Sequence, residues 1–182
     1  MTSYQEIDAA ATIAKIEAAL DLVTTDDIDT AIAAATSQSV WIRPSDFEVV
    51  SGSPTVELIN SCPVVAFDAG DTEVVSTTFM PPSHWDSFDV HAWWTVPSGS
   101  GNVEWRIQLR GLFDGDVISG NATSDVLAAA PAAVDVLRTE LASAVDNSDA
   151  FHQATFRRRG GDATDTLNAD AYLIALEVSR AS

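Results

Sequence analysis

The chain has 182 residues, of which 46% are apolar and 20% are charged, and a chain of this size can bury a hydrophobic core. It contains 27 acidic and 9 basic residues, which gives a net charge of −18. This charge excludes duplex DNA as a partner, because binding it requires neutralisation of phosphates by basic side chains. No apolar run approaches the roughly 18 residues of a membrane-spanning helix, and the N-terminus lacks the pattern of a secretory signal. We therefore expect neither a nucleic-acid partner nor a membrane span.

The acidic excess also predicts the solvent in which the protein works. Only one of the nine basic residues is a lysine, Lys15. A charge this far from zero destabilises a compact state by self-repulsion unless salt screens it, and at about 1 M ionic strength the Debye length is only about 3 Å. The five tryptophans and the apolar content argue against a disordered acidic chain. The composition therefore predicts a folded protein adapted to high salt, from an extreme halophile or one of its viruses.

Residues 1–38 are predicted to form a helical segment, separate from a domain over residues 39–182. Ser3 and Glu6 have the spacing of a capping box at a helix start. Apolar residues then recur every three or four positions, as in the seam of a coiled coil: Ile13, Ile16, Leu20 and Val23. A second short helix is expected to start at Thr24 or Thr25. A two-helix segment of this length is marginally stable alone, so it packs either on its own domain or on copies of itself. The second alternative makes these four residues an oligomer interface.

From Val40 onward the sequence predicts a mainly β domain. Proline, glycine, aromatic and β-branched residues appear, with turn signals about every 8–12 residues, which is typical of an antiparallel β-sandwich with jelly-roll-like architecture. We expect eight or nine strands. The segments are Val40–Val50, Thr55–Asn60, Val64–Asp68, Glu73–Met80, Phe88–Val96, Asn102–Phe113, Val134–Leu141, Phe151–Arg158 and a last strand around residues 172–178.

Alternation of apolar and polar residues predicts which side chains face the core. In the clearest strand these are Val103, Trp105, Ile107 and Leu109, and in the last strand they are Tyr172, Ile174, Leu176 and Val178. Two segments are ambiguous. Asp125–Ala133 is alanine-rich and is predicted to be a loop or a short helical turn. Val134–Val145 is compatible with a helix or a strand, and its alternation of residues favours a strand.

The sequence offers no catalytic or metal-binding motif. His84, His91 and His152 lack a metal-ligand spacing, and no nucleophile elbow, dinucleotide fingerprint or Walker A pattern occurs. The single cysteine, Cys62, excludes an intrachain disulfide and a cysteine-based zinc site, and we expect it to be a buried thiol. The protein is therefore expected to be no enzyme and to carry no cofactor or resident metal.

Three short segments leave alternatives open. Asp162, Asp165 and Asp170 lie in a glycine-containing loop that either is solvated, the favoured interpretation, or binds a hard cation such as Ca²⁺. The triplet at Asn121 matches a glycosylation sequon, although such triplets are common by chance. Arg157–Arg159 is the only basic run, and it either bridges acidic patches of neighbouring subunits or is solvated.

The adjacent tryptophans Trp93 and Trp94 must face opposite sides of a strand. Apolar residues at alternate positions place Trp94 in the core, together with Val90, Ala92 and Val96. Trp93 then points outward, where a tryptophan fills a subunit contact, is covered by local structure, or stacks on a sugar. We therefore take Trp93 as a candidate interface residue, and Trp93 with Trp85 as candidates for ligand stacking.

Several short patterns between residues 41 and 180 carry a family resemblance. They are Trp41–Pro44, Phe79–Trp85, Ala92–Trp94, Gly101–Trp105, Phe156–Arg158, Asp165–Leu167 and Asp170–Leu173. On these patterns, this part of the chain resembles a β-sandwich domain that recurs in structural proteins of tailed viruses. The resemblance implies a non-enzymatic virion component, commonly trimeric: a capsid decoration or turret protein, or a tail-fibre or receptor-binding module.

Together with the acidic composition, the resemblance implies a structural protein of a haloarchaeal tailed virus. Its expected partners are copies of itself in a homotrimer and other virion proteins such as capsid or tail. The alternative is a carbohydrate- or receptor-binding β-sandwich module that recognises a host surface glycan through Trp93 and Trp85. A glycan-cleaving enzyme needs two converging carboxylates, and among 27 acidic residues the sequence singles out no pair.

Overall fold

Eleven β-strands and one short 3₁₀ turn form in the described part of the chain. The computed structural model describes residues 39–112, 122–130, 135–148 and 151–181. The strands are β1 (Val40–Ile42), β2 (Glu48–Ser51), β3 (Thr55–Ile59), β4 (Cys62–Phe67), β5 (Thr72–Phe79), β6 (Ser87–Thr95), β7 (Asn102–Leu112), β8 (Ala122–Ala129), β9 (Leu137–Asp146), β10 (Phe151–Arg159) and β11 (Ala171–Arg180). The predicted helical seam of Ile13, Ile16, Leu20 and Val23 lies outside the described residues, as does Asn121.

The strands form two antiparallel sheets, which we call sheet A and sheet B. Sheet A has the order β3-β4-β11-β6-β9, with β1 also paired to β11, and sheet B has the order β2-β5-β10-β7-β8. The prediction of a mainly β, antiparallel sandwich is confirmed. The predicted count of eight or nine strands is wrong, because the described residues contain eleven. No helix among these residues is long and apolar enough to cross a bilayer.

Aromatic side chains from both sheets meet in the core. Trp105 of sheet B contacts Trp94 and Phe67 of sheet A, with ring centroids 5.6 Å apart in each case, and it stacks on Phe156 at 4.9 Å. The inward residues predicted on β7 and around β6 are buried. Burial of one face gives each of these strands a period of two, which is why the sequence predicts their orientation.

A β-bulge changes the predicted orientation of β11. The register against β6 shifts between Leu173 and Ala175, so one extra residue enters the strand and the alternation restarts after it. Leu173 is therefore buried before the bulge and Leu176 after it. Tyr172 lies outside the core, half-buried, so the prediction of an inward Tyr172 and Ile174 is wrong.

Strand pairing overrides the local composition of the alanine-rich segment. The sequence predicts a loop or helical turn at Asp125–Ala133, but Ala122–Ala129 forms β8 and pairs with β7 along eight positions. Alanine has the highest helix propensity, but propensities differ by less than about 1 kcal/mol per residue among ordinary residues, and pairing along the open edge of β7 outweighs that preference. The strand interpretation of Val134–Val145 is confirmed from Leu137 onward by β9, whereas Val134 lies outside the described residues.

The predicted strand Val40–Val50 is two strands in different sheets. A 3₁₀ turn at Pro44–Asp46 separates β1 from β2, because Pro44 has no N–H for a strand ladder. The Asp46 carboxylate accepts the backbone N–H of Arg43 at 2.8 Å and closes the turn. This crossing brings β1, and with it Trp41, beside β11.

The loop Gly160–Asp170 is tied to the core by arginine. Arg158 and the Asp165 carboxylate are fully buried and form two hydrogen bonds of 2.8 and 2.9 Å. Arg158 also donates to the carbonyls of Phe67, Leu167 and Ala169. A solvated loop is therefore the wrong expectation for Asp165, and a solvated or subunit-bridging role is wrong for Arg158.

The single cysteine also departs from expectation. Cys62 is exposed at the start of β4, so the predicted buried thiol is wrong. It follows a two-residue turn in which Asn60 and Ser61 have φ values of 49° and 69°, the conformation that joins neighbouring strands in a tight hairpin. The hairpin carries Leu58, which is 74% exposed, beyond the core.

Candidate ligand-binding site

Two tryptophans from distant parts of the chain meet on the outer face of sheet A. β1 and β6 pair with opposite edges of β11, which brings Trp41 opposite Glu177 and Trp93 opposite Ala175. The small Ala175 side chain leaves room between the strands, and the two indole rings lie 5.8 Å apart with planes inclined at 51°. Trp41 is 48% exposed. The pair forms an apolar surface that is open to solvent.

A carboxylate fixes the second ring in place. Glu177 accepts hydrogen bonds from the indole Nε1 of Trp93 at 2.9 Å and from Nε of Arg138 at 2.8 Å, and Ser39 Oγ donates to its other oxygen at 2.9 Å. Such charge-assisted hydrogen bonds are stronger than neutral ones. We call the surface of Trp41, Trp93, Glu177 and Arg138 the aromatic platform.

The hydrogen bonds keep Glu177 ionised. Burial alone raises the pKa of this carboxyl, but the bonds from Arg138, Trp93 and Ser39 outweigh burial and hold the pKa below its usual range. A depressed carboxyl pKa means that the stabilisation is present at neutral pH and is lost as the pH falls through the folded-state value. The platform is therefore held together at neutral pH.

A buried histidine lies beside the platform. His91 pairs with Glu177 on one side and with Glu140 on the other, and its Nε2 is 3.8 Å from the Glu140 carboxylate. Burial lowers the pKa of His91, and Arg138 lowers it further, against the opposing effect of Glu177, Glu140 and Asp89. The side chain is therefore neutral at pH 7.

The depressed pKa of His91 predicts a loss of stability in mild acid. The unfolded chain takes up a proton near its usual pKa of about 6.5, whereas the folded chain does so only at lower pH, so the free energy of unfolding falls over this interval. We expect His91→Gln to reduce that fall between about pH 8 and about pH 5, measured by urea unfolding. An identical pH dependence in both proteins would contradict this assignment.

The structure separates the two sequence-predicted stacking residues. Trp93 lies on the open face of sheet A, half-buried beside Trp41. Trp85 is 2% exposed and belongs to the core cluster. It offers no ring face to a ligand, so its prediction as a stacking platform is wrong. The more exposed ring, Trp41, was missed because only its pairing with β11 places it beside Trp93.

Further concave surfaces lie elsewhere on the described residues. Half of the residues that line a cleft of ≈ 490 Å³ are acidic, including Glu57, Asp68 and Glu73. The Glu73 carboxylate is already engaged there, because it accepts the backbone N–H groups of Ser53 and Asp68. A groove of ≈ 380 Å³ crosses the outer face of sheet B. Its lining is formed by Asp46, Glu48, Ser76, Thr77, Thr78 and Gln153.

Comparisons with known proteins identify the fold. No family model and no curated protein match the sequence. Among solved structures, the xylan-binding module CBM15 is 14% identical with a TM-score of 0.50, covering 80% of this chain and 98% of the module. The CBM35 module from Cellvibrio japonicus Abf62 is 10% identical with a TM-score of 0.51, covering 80% of this chain and 95% of that one.

A third match is part of a larger protein. The insecticidal delta-endotoxin Cry8Ea1 from Bacillus thuringiensis is 9% identical with a TM-score of 0.52, over 81% of this chain. The match spans only 25% of the toxin chain. None of these three matches bears on the expected virion role, the trimer or the salt adaptation, which stay predictions. At such low identity the matches establish one point, that the protein has the β-sandwich fold of these carbohydrate-binding modules.

Proposed function

We propose that the protein is a non-catalytic carbohydrate-binding module whose aromatic platform holds the sugar. The observation that carries this proposal is the open ring of Trp41 beside Trp93 on the outer face of sheet A. The β-sandwich fold, shared with the xylan-binding module CBM15 and a CBM35 module, supports it.

The chemistry of the platform suits a sugar. A pyranose ring has an apolar face of C–H groups and a rim of hydroxyls. A tryptophan ring buries such a face over a large area and loses little conformational entropy, since it has only two side-chain torsions. At the rim, Arg138 is 42% exposed and Glu140 is 58% exposed, so a hydroxyl has both a donor and an acceptor within the same surface.

The shape and charge of the platform narrow the ligand class. Sites for single small molecules are concave and enclose most of the ligand, whereas this surface lies on a sheet face. An open surface suits successive sugar units of a chain. The carboxylates of Glu140 and Glu177 border it, and they disfavour a negatively charged sugar at this position. We therefore expect a neutral polysaccharide.

Glycan binding is expected to depend on Trp41. Titration of the protein with soluble xylan, mannan and galactan oligosaccharides, followed by calorimetry and tryptophan fluorescence, should identify a ligand. We expect Trp41→Ala to weaken the affinity for that ligand about tenfold or more, which corresponds to about 1.4 kcal/mol or more of lost binding free energy from the ring contact. Trp93→Ala should have a similar effect.

Leu58→Ala is the matched control for this titration. Leu58 is also a large exposed apolar residue, 74% accessible, but it lies on β3 at the edge of sheet A. Its replacement is expected to leave the affinity unchanged. Equal affinity of the wild type and Trp41→Ala, or the absence of binding to every glycan tested, would contradict the proposal.

A further inference from the structure

Most of the basic residues in the described part of this acidic chain lie together on sheet B. Five of the nine basic residues of the chain lie on two neighbouring strands, two on β7 and three on β10. Arg158 points into the protein. The outer face carries the others: Arg106, Arg110, Arg157 and Arg159.

The arginines of this face differ in their ion pairing. Arg106 forms an ion pair with Asp125, and Arg159 forms ion pairs with Glu104 and Asp162. Arg157 takes part in no ion pair among the described residues. Its Nε is buried and has no hydrogen-bond partner there. Buried polar groups are almost always hydrogen-bonded, so an unpaired Nε at this position is unusual.

The surroundings of Arg157 are unfavourable for an unpaired cation. The strand register places it directly opposite Arg106 on β7 and Val74 on β5, and like charges in opposite positions destabilise a sheet. Burial lowers the pKa of Arg157, and the charges of Arg106 and Arg159 lower it further, against the opposing effect of Asp125. A bound anion would relieve the repulsion, because it brings a negative charge to this half-buried side chain.

The surface next to Arg157 is rich in hydroxyl and amide groups. The adjacent row across the sheet contains Gln108, Thr155 and Ser76 in register. Ser76 also lines the groove of ≈ 380 Å³, together with Thr78 and Gln153. Such side chains exchange hydrogen bonds with sugar hydroxyls. The carboxylates of Asp46 and Glu48 lie in the same groove, so a second negative charge on the ligand is disfavoured there.

We propose that the outer face of sheet B is a second binding site, for a glycan that carries a carboxylate. The guanidinium of Arg157 holds the carboxylate of a uronic acid, and the neighbouring groove accepts the hydroxyls of the adjoining sugar unit. The site lies on the sheet opposite to the one that carries the aromatic platform. It uses none of the platform residues, so it stands independently of the function proposed above.

The test compares one sugar chain with and without its charge. An aldobiouronic acid, in which one uronic acid is joined to one neutral sugar, and its methyl ester differ only in whether the single carboxyl group is free and ionised or esterified and neutral. The affinities are measured by calorimetry at about 1 M KCl, where the Debye length is about 3 Å. At this salt concentration, long-range repulsion between the ligand and the protein of net charge −18 is screened. We expect the wild type to bind the acid about tenfold more tightly than the ester, as for a charge-assisted hydrogen-bonded pair.

Four variants assign that preference to a residue. Arg157→Gln is expected to abolish it, and Arg157→Lys to reduce it, because lysine keeps the charge but lacks the planar fork. Arg180→Gln, which removes an equal charge from the exposed end of β11, should retain it. Trp41→Ala should also retain it, so failure at one site is distinguishable from failure at the other.

Thermal unfolding distinguishes a binding role from a structural one. Because Arg157 forms no ion pair among the described residues and lies opposite Arg106, Arg157→Gln is expected to unfold at the same temperature as the wild type or about 2–4 °C higher. Equal affinity of the wild type for acid and ester, or an unchanged preference in Arg157→Gln, would overturn the proposal. A change in oligomeric state in Arg157→Gln, without acid preference in the wild type, would overturn it in favour of a contact between copies.

Discussion

Arg158→Met is expected to destabilise the protein by about 3–5 kcal/mol, because it leaves a buried charge without its partner. The Asp165 carboxylate is fully buried and receives two of the hydrogen bonds from Arg158. The substitution also removes the donor from three main-chain carbonyls. A domain of this size has a total stability of about 5–15 kcal/mol, so one substitution removes much of it. Urea unfolding monitored by tryptophan fluorescence measures the loss.

The matched variants separate the charge from the packing. Arg159→Met removes the neighbouring arginine, whose side chain is 31% exposed, and is expected to cost about 1 kcal/mol or less. The double variant Arg158→Met/Asp165→Leu removes both buried charges and should recover a large part of the loss, as replacing an ion pair by apolar residues often does. A single-variant cost no larger than that of Arg159→Met would contradict this account.

The sequence predicts those parts of the fold in which one strand face is buried and the chain is regular. On β7, four apolar residues alternate with polar ones, and the inward set is buried as predicted. On β11 the same reasoning fails for Tyr172 and Ile174 and holds for Leu176 and Val178, since the bulge between Leu173 and Ala175 depends on pairing with β6. No local sequence pattern predicts the additional residue in this bulge. Similarly, β8 owes its strand conformation to the edge of β7.

The aromatic platform was predictable only in its central residue. The adjacency of Trp93 and Trp94 requires one of them to face outward, and the apolar alternation identifies which one. The partners come from far along the chain. Glu177 is 84 residues from Trp93 and 138 residues from Ser39, and only the order of strands in sheet A brings them together.

The environments of Arg157–Arg159 could not be predicted from composition. The run Arg157–Arg159 reads as one basic cluster, yet its members have three different environments. Alternation turns Arg158 inward to Asp165 and leaves its neighbours outside. Arg159 meets Glu104 and Asp162, while Arg157 meets Arg106. The register of β7 against β10 therefore decides which arginine is paired and which one remains available to a ligand.

Trp105→Ala is expected to be comparably destabilising, by about 3–5 kcal/mol, without acting on the ligand-binding surfaces. Trp105 is completely buried and contacts Trp94, Phe67 and Phe156. Truncation leaves a cavity between the two sheets, and packed neighbours collapse into it only in part. Urea unfolding gives the cost, and Trp41→Ala is the matched control.

The two tryptophan variants should have opposite profiles. Trp41 is 48% exposed, so its replacement is expected to cost about 1 kcal/mol or less in stability, while the affinity for a neutral glycan falls. Trp105→Ala should keep that affinity at temperatures where the variant is folded. The outcome that contradicts this division is equal destabilisation by both substitutions. It would mean that the Trp41–Trp93 pair supports the fold as a core contact does, and that its exposure reflects no role in binding.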